Sequence, residues 1–386
     1  MTARSLWSRN FILINLCSVF ASFTNFAYIY ILPVHMLRIG GSNTDVGLMG
    51  AGMTILGLLT RFVFSPLIDR IGRKPMLMAG VSLFTLNAFG FFLLRSSVPG
   101  ILLMRCMSGF SQGIFFPVPP TCISDVSPKE KLVDALGVFG ISSSLPAIFS
   151  PLLGLYLYDH VSPAAFFTVT ALVPLLSCIA ALLYKDEYKP EPVSAGTRQP
   201  FRISTVVETS VLLPCLLFFF ACFGFSAVNN FVLTFGESRH IAGMSLFFTV
   251  HNLAIVATRL IAGRLRAKLA VKRIITLGTI IAGVGIFMIA FAHGLVMMLA
   301  ASVVIAFGGT IYSQYLQADV LLRVSEKRRG VANSSLMLFQ DVGQGAGAAT
   351  FGLTSEHLGY PWTFASAGII AILSVLFHVR DQKKER

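Results

Sequence analysis

The sequence predicts an all-α membrane protein with twelve transmembrane helices in two pseudo-symmetric six-helix bundles. Three observations support this fold class: an apolar composition, twelve apolar stretches of helical length, and an internal repeat. Of the 386 residues, 55% are hydrophobic and 12% are charged, whereas about a quarter of a soluble domain is charged. So little polar surface excludes a soluble enzyme, a disordered tail and a disulfide scaffold.

Each apolar stretch is long enough to cross a bilayer, which needs about 20 residues of α-helix. The first six stretches cover 11–34, 46–68, 75–94, 99–123, 135–158 and 164–184. The second six cover 209–235, 242–264, 273–292, 294–317, 331–352 and 361–378. Because the first stretch is too long for the apolar core of a signal peptide, we expect it to be the first membrane helix.

Basic residues are distributed unevenly between the two sides of the membrane. Counted by loop, 24 of the 30 Lys and Arg residues lie on the side of the N-terminus, and only Arg38, Arg95 and Arg239 lie in loops on the other side. Cytoplasmic loops carry such an excess, so both termini are predicted to be cytoplasmic, in a bacterial-type inner membrane. This placement explains the net charge of +13, and nucleic acid is not expected as a partner.

An internal repeat divides the chain into two halves. At a constant offset of 198 residues, Thr60-Arg61 matches Thr258-Arg259, and Gly80 matches Gly278. A polar, Pro-containing stretch separates the halves. The predicted domains are therefore an N-terminal bundle (1–184), a cytoplasmic linker (185–208) and a C-terminal bundle with a short basic tail (209–386). Repeats of this kind predict a substrate site near the membrane midplane.

The segment that closes the second span reads Ser65-Pro66-Leu67-Ile68-Asp69-Arg70-Ile71-Gly72-Arg73-Lys74. It resembles the major facilitator signature G-x-L-x-D-R-x-G-R-K at every fixed position except the first, where Ser65 replaces Gly. The resemblance implies a cytoplasmic latch that holds one access state, formed by Asp69, Arg70, Arg73 and Asp125. The alternative is that these charges only anchor the topology of the loop.

Two further segments point to one branch of the same family. Arg105 to Gly109 in the fourth span resembles the R-x-x-x-G element of proton-coupled members. Ser150 to Leu155 in the fifth span resembles the G-P-x-x-G-G element of drug and proton antiporters, without its flanking glycines. The resemblance therefore implies a proton-coupled efflux transporter, although the second match is incomplete.

Ionisable residues inside spans are candidates for proton coupling. Asp341 lies ten residues into the eleventh span, about 15 Å deep and close to the midplane. A carboxylate there must be paired, be protonated or face the bundle interior. We expect Asp341 to bind the proton, Arg105 to pair with it, and His251 to assist. The alternatives are hydrogen bonding between helices for Asp341, binding of carbonyl groups for Arg105, and packing for His251.

The family resemblance places the substrate pocket on spans one, four, seven and ten. The predicted lining combines aromatic rings with scattered amides, with one addition from span eleven: Asn25, Tyr28, Gln112, Phe115, Phe225, Asn229, Asn230, Tyr312 and Gln344. Such a lining suits an amphipathic organic solute better than a sugar. The alternative is that these aromatic residues simply pack between helices or contact lipid.

The function predicted from these features is efflux of a small amphipathic molecule in exchange for protons, by alternating access of a monomer in the lipid bilayer. An uptake symporter is the nearest alternative, and a receptor or scaffold is the alternative from another class. The short linker argues against a scaffold. An enzyme is not expected, because the sequence has no nucleophile with a base, no metal-ligand cluster and no phosphate-binding loop, and no cofactor or metal is predicted.

Overall fold

The fold is described by a computed structural model that covers residues 7–64, 71–128, 131–186, 208–266, 269–325 and 328–384. Within these ranges every regular element is a helix and no strand occurs. The helices group by contact into two units. The first unit comprises Met1–Gly40 and Gly52–Thr197, and the second comprises Gly41–Ala51 and Arg198–Arg386. The predicted domain boundaries stay a prediction, because most of the linker lies outside the described residues.

The first half of the chain forms six helical segments that match the first six predicted spans. The fourth consists of two consecutive helices, and the fifth ends in a π-helical turn, Leu157–Val161. The helices are α1 (Arg9–Arg38), α2 (Asn43–Phe64), α3 (Arg73–Leu94), α4a (Val98–Phe115), α4b (Val118–Val126), α5 (Leu132–Tyr156) and α6 (Pro163–Leu183).

The second half forms six further segments. A single 3₁₀ turn, Thr209–Val211, precedes the first of them. The helices are α7 (Leu212–Ser238), α8 (Leu246–Arg266), α9 (Val271–Ala290), α10 (Leu295–Leu322), α11 (Arg329–His357), α12a (Tyr360–Leu373) and α12b (Val375–Lys384).

Local sequence signals explain several of these helix ends. Ser8, Ser97 and Ser162 each cap a helix, because each side chain accepts a hydrogen bond from the backbone N–H three residues later. Pro117 and Pro119 divide the fourth span into α4a and α4b, since proline has no N–H to donate to the helix. The predicted single span 99–123 is therefore interrupted at Phe116 and Pro117.

Nine helices in the described part of the chain are long and apolar enough to cross a membrane. The described apolar part of α8 is Leu246–Ile261, and α11 is less apolar than these nine helices. In α11 the reason is visible, because Gln340, Asp341 and Gln344 occupy its middle. Each predicted span nevertheless contains a helix among its described residues, so the all-α membrane fold is confirmed.

Close helix contacts in the second unit depend on glycine. A Cβ on Gly278 of α9 would lie 2.9 Å from the backbone nitrogen of Tyr312 and 3.0 Å from the carbonyl oxygen of Gly308, both in α10. On its other side α9 meets α12a, where a Cβ on Gly283 would lie 3.0 Å from the Gly368 oxygen. Small residues allow backbones in a membrane to approach this closely, so α9 fits between α10 and α12a.

Candidate functional site

A cavity of about 220 Å³ lies inside the second unit. Its wall comes from α7, α8, α9, α10, α11 and α12a, and it combines aromatic, aliphatic and polar side chains. Four residues predicted from the sequence line it: Phe225, His251, Tyr312 and Gln344. The structure therefore brings together part of the predicted substrate lining and one of the predicted coupling residues.

His251 is held in the cavity wall by a backbone hydrogen bond and two aromatic rings. Its side chain is buried, and Nδ1 donates to the carbonyl oxygen of Ser302 at 3.1 Å. The imidazole stacks on Phe225, with ring centroids 5.7 Å apart, and on Phe247 at 6.3 Å. Because a carbonyl only accepts, Nδ1 carries the proton, and Nε2 of the neutral ring is left as an acceptor.

The α7 side of the cavity is fixed to α11 by a short polar network. The hydroxyl of Ser226 donates to the carbonyl oxygen of Gln344 at 2.8 Å. Asn230, one turn further along α7, donates from Nδ2 to the Ser226 carbonyl at 2.9 Å. Neither Asn230 nor Asn229 is among the described residues that line the cavity, so the structure does not bring these two predicted residues to the site.

The cavity also contains residues that the sequence interpretation missed. On α8, Ile255 and Arg259 line it together with His251, and Gln340 lines it one turn before Gln344 on α11. Spacings of four and eight residues repeat along one helix face, so the pattern was present in the sequence. Arg259 was counted there only as a charge inside a span and as part of the repeat.

Asp341 follows Gln340 in α11 and is half-buried. It is not among the described residues that line the cavity, but its chain neighbour Gln340 is. The predicted proton-binding acid is therefore close to the cavity wall. Its ion pair with Arg105 stays a prediction, because the two residues belong to different units.

In the first unit, two predicted lining residues lie within the packed interior. Phe115 is fully buried in the apolar core, with its ring centroid 6.3 Å from that of Phe84. Tyr28 is also buried, its ring lies 4.5 Å from Phe91, and its hydroxyl donates to the Ala88 carbonyl at 3.4 Å. These contacts correspond to the packing alternative for both residues.

Arg105 is buried in α4a with unsatisfied donors. Its side chain is 5% exposed, and Nε and Nη1 have no hydrogen-bond partner within the described ranges. Asn25 is buried in the same unit, and its Oδ1 likewise lacks a partner there. Gln112 is half-buried, with Nε2 3.9 Å from the sulfur of Met53. Buried donors without a partner are costly, so these two nitrogens need a partner that the described residues do not supply.

The predicted latch is present in part. Arg73 Nε donates to Asp125 Oδ2 at 2.8 Å, which joins the start of α3 to the end of α4b. The Arg73 side chain is only 7% exposed. Asp69 and Arg70 lie outside the described residues, so their share of the latch stays a prediction.

The second unit has ion pairs that were not predicted. Arg323 at the end of α10 donates to Asp381 of α12b at 2.6 Å and also to Asp319 one turn earlier. Glu208, just before α7, accepts a hydrogen bond from Arg328. That hydrogen bond lowers the pKa of the Glu208 carboxyl below its usual value. Each of these three pairs involves an arginine next to a helix end, like the Arg73–Asp125 pair.

Metal chemistry has no support in the described part of the chain. No group of three or more His, Cys, Asp or Glu side chains that can hold a metal ion occurs there. The six cysteines are free thiols. The cavity wall offers a ligand aromatic rings, amides, hydroxyls and the Arg259 guanidinium.

Comparisons with known proteins agree with this geometry. A sequence model described as the Major Facilitator Superfamily matches residues 14–247 and 214–386. The chain is 21% identical over 385 residues to Multidrug resistance protein 2 of Bacillus subtilis, which covers 97% of this chain and 96% of that protein. It is 22% identical over 367 residues to the Staphylopine export protein of Staphylococcus aureus, covering 89% of each.

Solved structures share the fold. A variant of the nucleoside transporter NupG matches with a TM-score of 0.81, covering 96% of this chain and 99% of that one, at 10% identity. A peptide transporter of the POT family, PepTSo, matches with a TM-score of 0.80 over 98% of each chain, at 12% identity. At such low identity the likeness is one of architecture.

Proposed function

Because this chain belongs to the major facilitator superfamily, we propose that it exports a small amphipathic organic molecule in exchange for protons, by alternating access in a bacterial cytoplasmic membrane. The observation that carries the proposal is the cavity of the second unit, where Phe225 and Tyr312 lie beside Gln340 and Gln344. Rings bind an apolar body, and a few placed amides orient a polar group. Relatives whose names refer to multidrug resistance and to export support the direction.

Asp341 is proposed as the group that binds the transported proton. It lies in the least apolar part of α11, between Gln340 and Gln344, which line the cavity. A carboxylate in the membrane interior favours a proton whenever its surroundings become drier, so its protonation can bias two access states differently. His251 and Arg105 are proposed to assist, since both are buried and ionisable.

The latch and the orientation complete the proposal. The Arg73–Asp125 ion pair is proposed to stabilise one access state from the cytoplasmic side, where the basic loops attract anionic lipid head groups. Both termini are proposed to lie on that side, because the loops there carry the excess of Lys and Arg. Alternating access requires that the pair form in one state and break in the other.

Proton coupling is tested in proteoliposomes that contain a pH-sensitive dye. Three naphthalene probes with head groups of matched shape are added outside: naphthalene-2-sulfonate, naphthalene-2-sulfonamide and trimethyl(2-naphthyl)ammonium. Proton movement with at least one probe, absent from empty liposomes, is expected. Asp341→Asn should abolish it, because an amide cannot carry the proton. Asp134→Asn, at an exposed acid in the first turn of α5, is the matched control and should be fully active.

The same assay separates the alternatives. Protons that move opposite to the probe indicate exchange, and protons that move with the probe indicate a symporter. If no probe moves protons through the folded wild-type protein, or if Asp341→Asn stays fully coupled, the proposed mechanism is wrong.

A further inference from the structure

The wall of the cavity in the second unit carries positive charge without any negative charge. Arg259 is the cation, and among the described residues that line the cavity none is an Asp or a Glu. The other ionisable groups there are Cys222 of α7, His251 of α8 and Tyr312 of α10. None of these three is an anion in its ordinary neutral-pH form, so the formal charge of the wall is positive.

Arg259 is available for a ligand. It has no ion-pair or hydrogen-bond partner in the part of the chain that the structure describes, and its side chain is exposed. Eight residues separate it from His251 on α8, which places the two groups about 12 Å apart along one helix face. Ile255 lies between them in the wall. The α8 face therefore offers a guanidinium at one end, an imidazole at the other and an apolar surface between.

One acid, Asp341 on α11, comes directly after a residue of this wall, Gln340. Asp341 itself is not among the described residues that line the cavity. A cationic ligand would therefore meet Arg259 without a facing carboxylate. An anionic ligand would meet a guanidinium whose donors fit a planar or tetrahedral acid group in a forked hydrogen bond.

A cleft whose wall carries one sign of charge concentrates ligands of the opposite sign. We propose that the exported substrate carries an acidic head group, a carboxylate, sulfonate or phosphate, which Arg259 binds while the apolar body lies against Phe225 and Tyr312. This inference rests on the proposed transport function and adds the charge of the substrate to it. It distinguishes the chain from an exporter of lipophilic cations.

The test compares the affinities of the three naphthalene probes for the purified full-length protein in detergent, by equilibrium dialysis. The sulfonate, the sulfonamide and the trimethylammonium compound share one ring system and have tetrahedral head groups of similar size, so they differ mainly in charge. The sulfonate should bind about tenfold more tightly than the sulfonamide, because a hydrogen bond to a charged group contributes about that much. The ammonium compound should bind most weakly. Added salt should reduce the difference.

Arg259→Gln should bind all three probes with nearly equal affinity, whereas Arg259→Lys should keep most of the preference for the sulfonate. Arg239→Gln is the matched control: Arg239 donates to the Ala292 carbonyl at 2.9 Å and does not line the cavity, so its loss should leave the preference intact. Each variant is first shown to be monodisperse by size-exclusion chromatography.

Two results would overturn the inference. One is tighter binding of the ammonium compound than of the sulfonate by the wild-type protein, which needs no variant and so does not depend on the folding of Arg259→Gln. The other is an unchanged preference in a folded Arg259→Gln variant. Binding requires no pH gradient, so a failure of proton exchange in proteoliposomes would not affect this binding measurement. Conversely, equal binding of the three probes would not affect a finding of proton exchange.

Discussion

Replacing Gly278 with alanine should force α9 and α10 apart at the cavity. The new Cβ would lie 2.9 Å from the backbone nitrogen of Tyr312, 3.0 Å from the Gly308 oxygen and 3.1 Å from the Tyr312 Cβ, whereas ordinary contacts begin at 3.4 Å. The helices must therefore separate by about half an ångström at this level. Two of the three opposing atoms belong to the backbone, so no side-chain rotation can relieve the contact.

The cost follows from packing. A gap of this size removes about a quarter of the dispersion energy of each affected atom pair, and overpacked cores lose about 1–3 kcal/mol. Alanine also favours the helix by about 0.5–1 kcal/mol over glycine. A comparison of Gly278→Ala with the wild-type protein would therefore hide part of the packing cost. Gly137→Ala on α5 is the matched control, because nothing lies within 4 Å of its Cβ position and it receives the same gain.

The assay is thermal unfolding of both variants in one detergent, followed by binding of naphthalene-2-sulfonate. Gly278→Ala should unfold about 2–12 °C below Gly137→Ala, taking about 2–4 °C per kcal/mol for a unit of this size. It should also bind the probe more weakly, since Tyr312 lines the cavity. Equal unfolding temperatures for the two variants would refute the close contact between α9 and α10.

Three other predictions concern ion pairs and the core. Arg73→Gln should cost about 1.5–2 kcal/mol, because it removes a hydrogen bond to a charged group from a guanidinium that is only 7% exposed, while its partner Asp125 is 30% exposed. Arg38→Gln, whose two partners are 40% and 39% exposed, should cost at most about 1 kcal/mol; equal losses in unfolding temperature would contradict this. Arg328 lowers the pKa of the Glu208 carboxyl below 4.5, so the pair stabilises the fold above that pH and loses this effect as the pH falls through the lowered pKa. In a plot of melting temperature against pH, Glu208→Gln should therefore show a flatter slope on the acid side. The fully buried thiol of Cys17 should resist N-ethylmaleimide until the protein unfolds, as mass spectrometry can show.

The sequence was sufficient for the fold because the lipid environment leaves few options. Without water to satisfy backbone groups, apolar stretches of this length must be helices, and their order along the chain gives the twelve segments. The interruption of the fourth helix after Phe115 was not predicted, since it depends on the positions of prolines within an otherwise apolar run.

The candidate site was predicted less completely, because membrane helices contact neighbours on several faces and apolarity does not show which face lines a cavity. Phe225 and Tyr312 line the cavity, but Phe115, chosen by the same reasoning, lies in the apolar core. Arg259 was overlooked because its position beside Thr258 in the repeat was taken as a marker of homology between the halves. Its spacing of eight residues from His251 was the available signal.

The ion pairs show that the internal repeat identifies equivalent helix ends in the two halves more reliably than it identifies the residue type found there. At the offset of 198 residues, Asp125 at the end of α4b corresponds to Arg323 at the end of α10, so the sign of the charge is reversed. In the first unit the acid accepts from Arg73, and in the second the base donates to Asp319 and Asp381. An ion pair requires only that its members be opposite in charge, so either sign can occupy the end of the helix if its neighbour changes too. A search for identical residues between the halves therefore misses the second pair, whereas a search for charged residues at equivalent helix ends finds it.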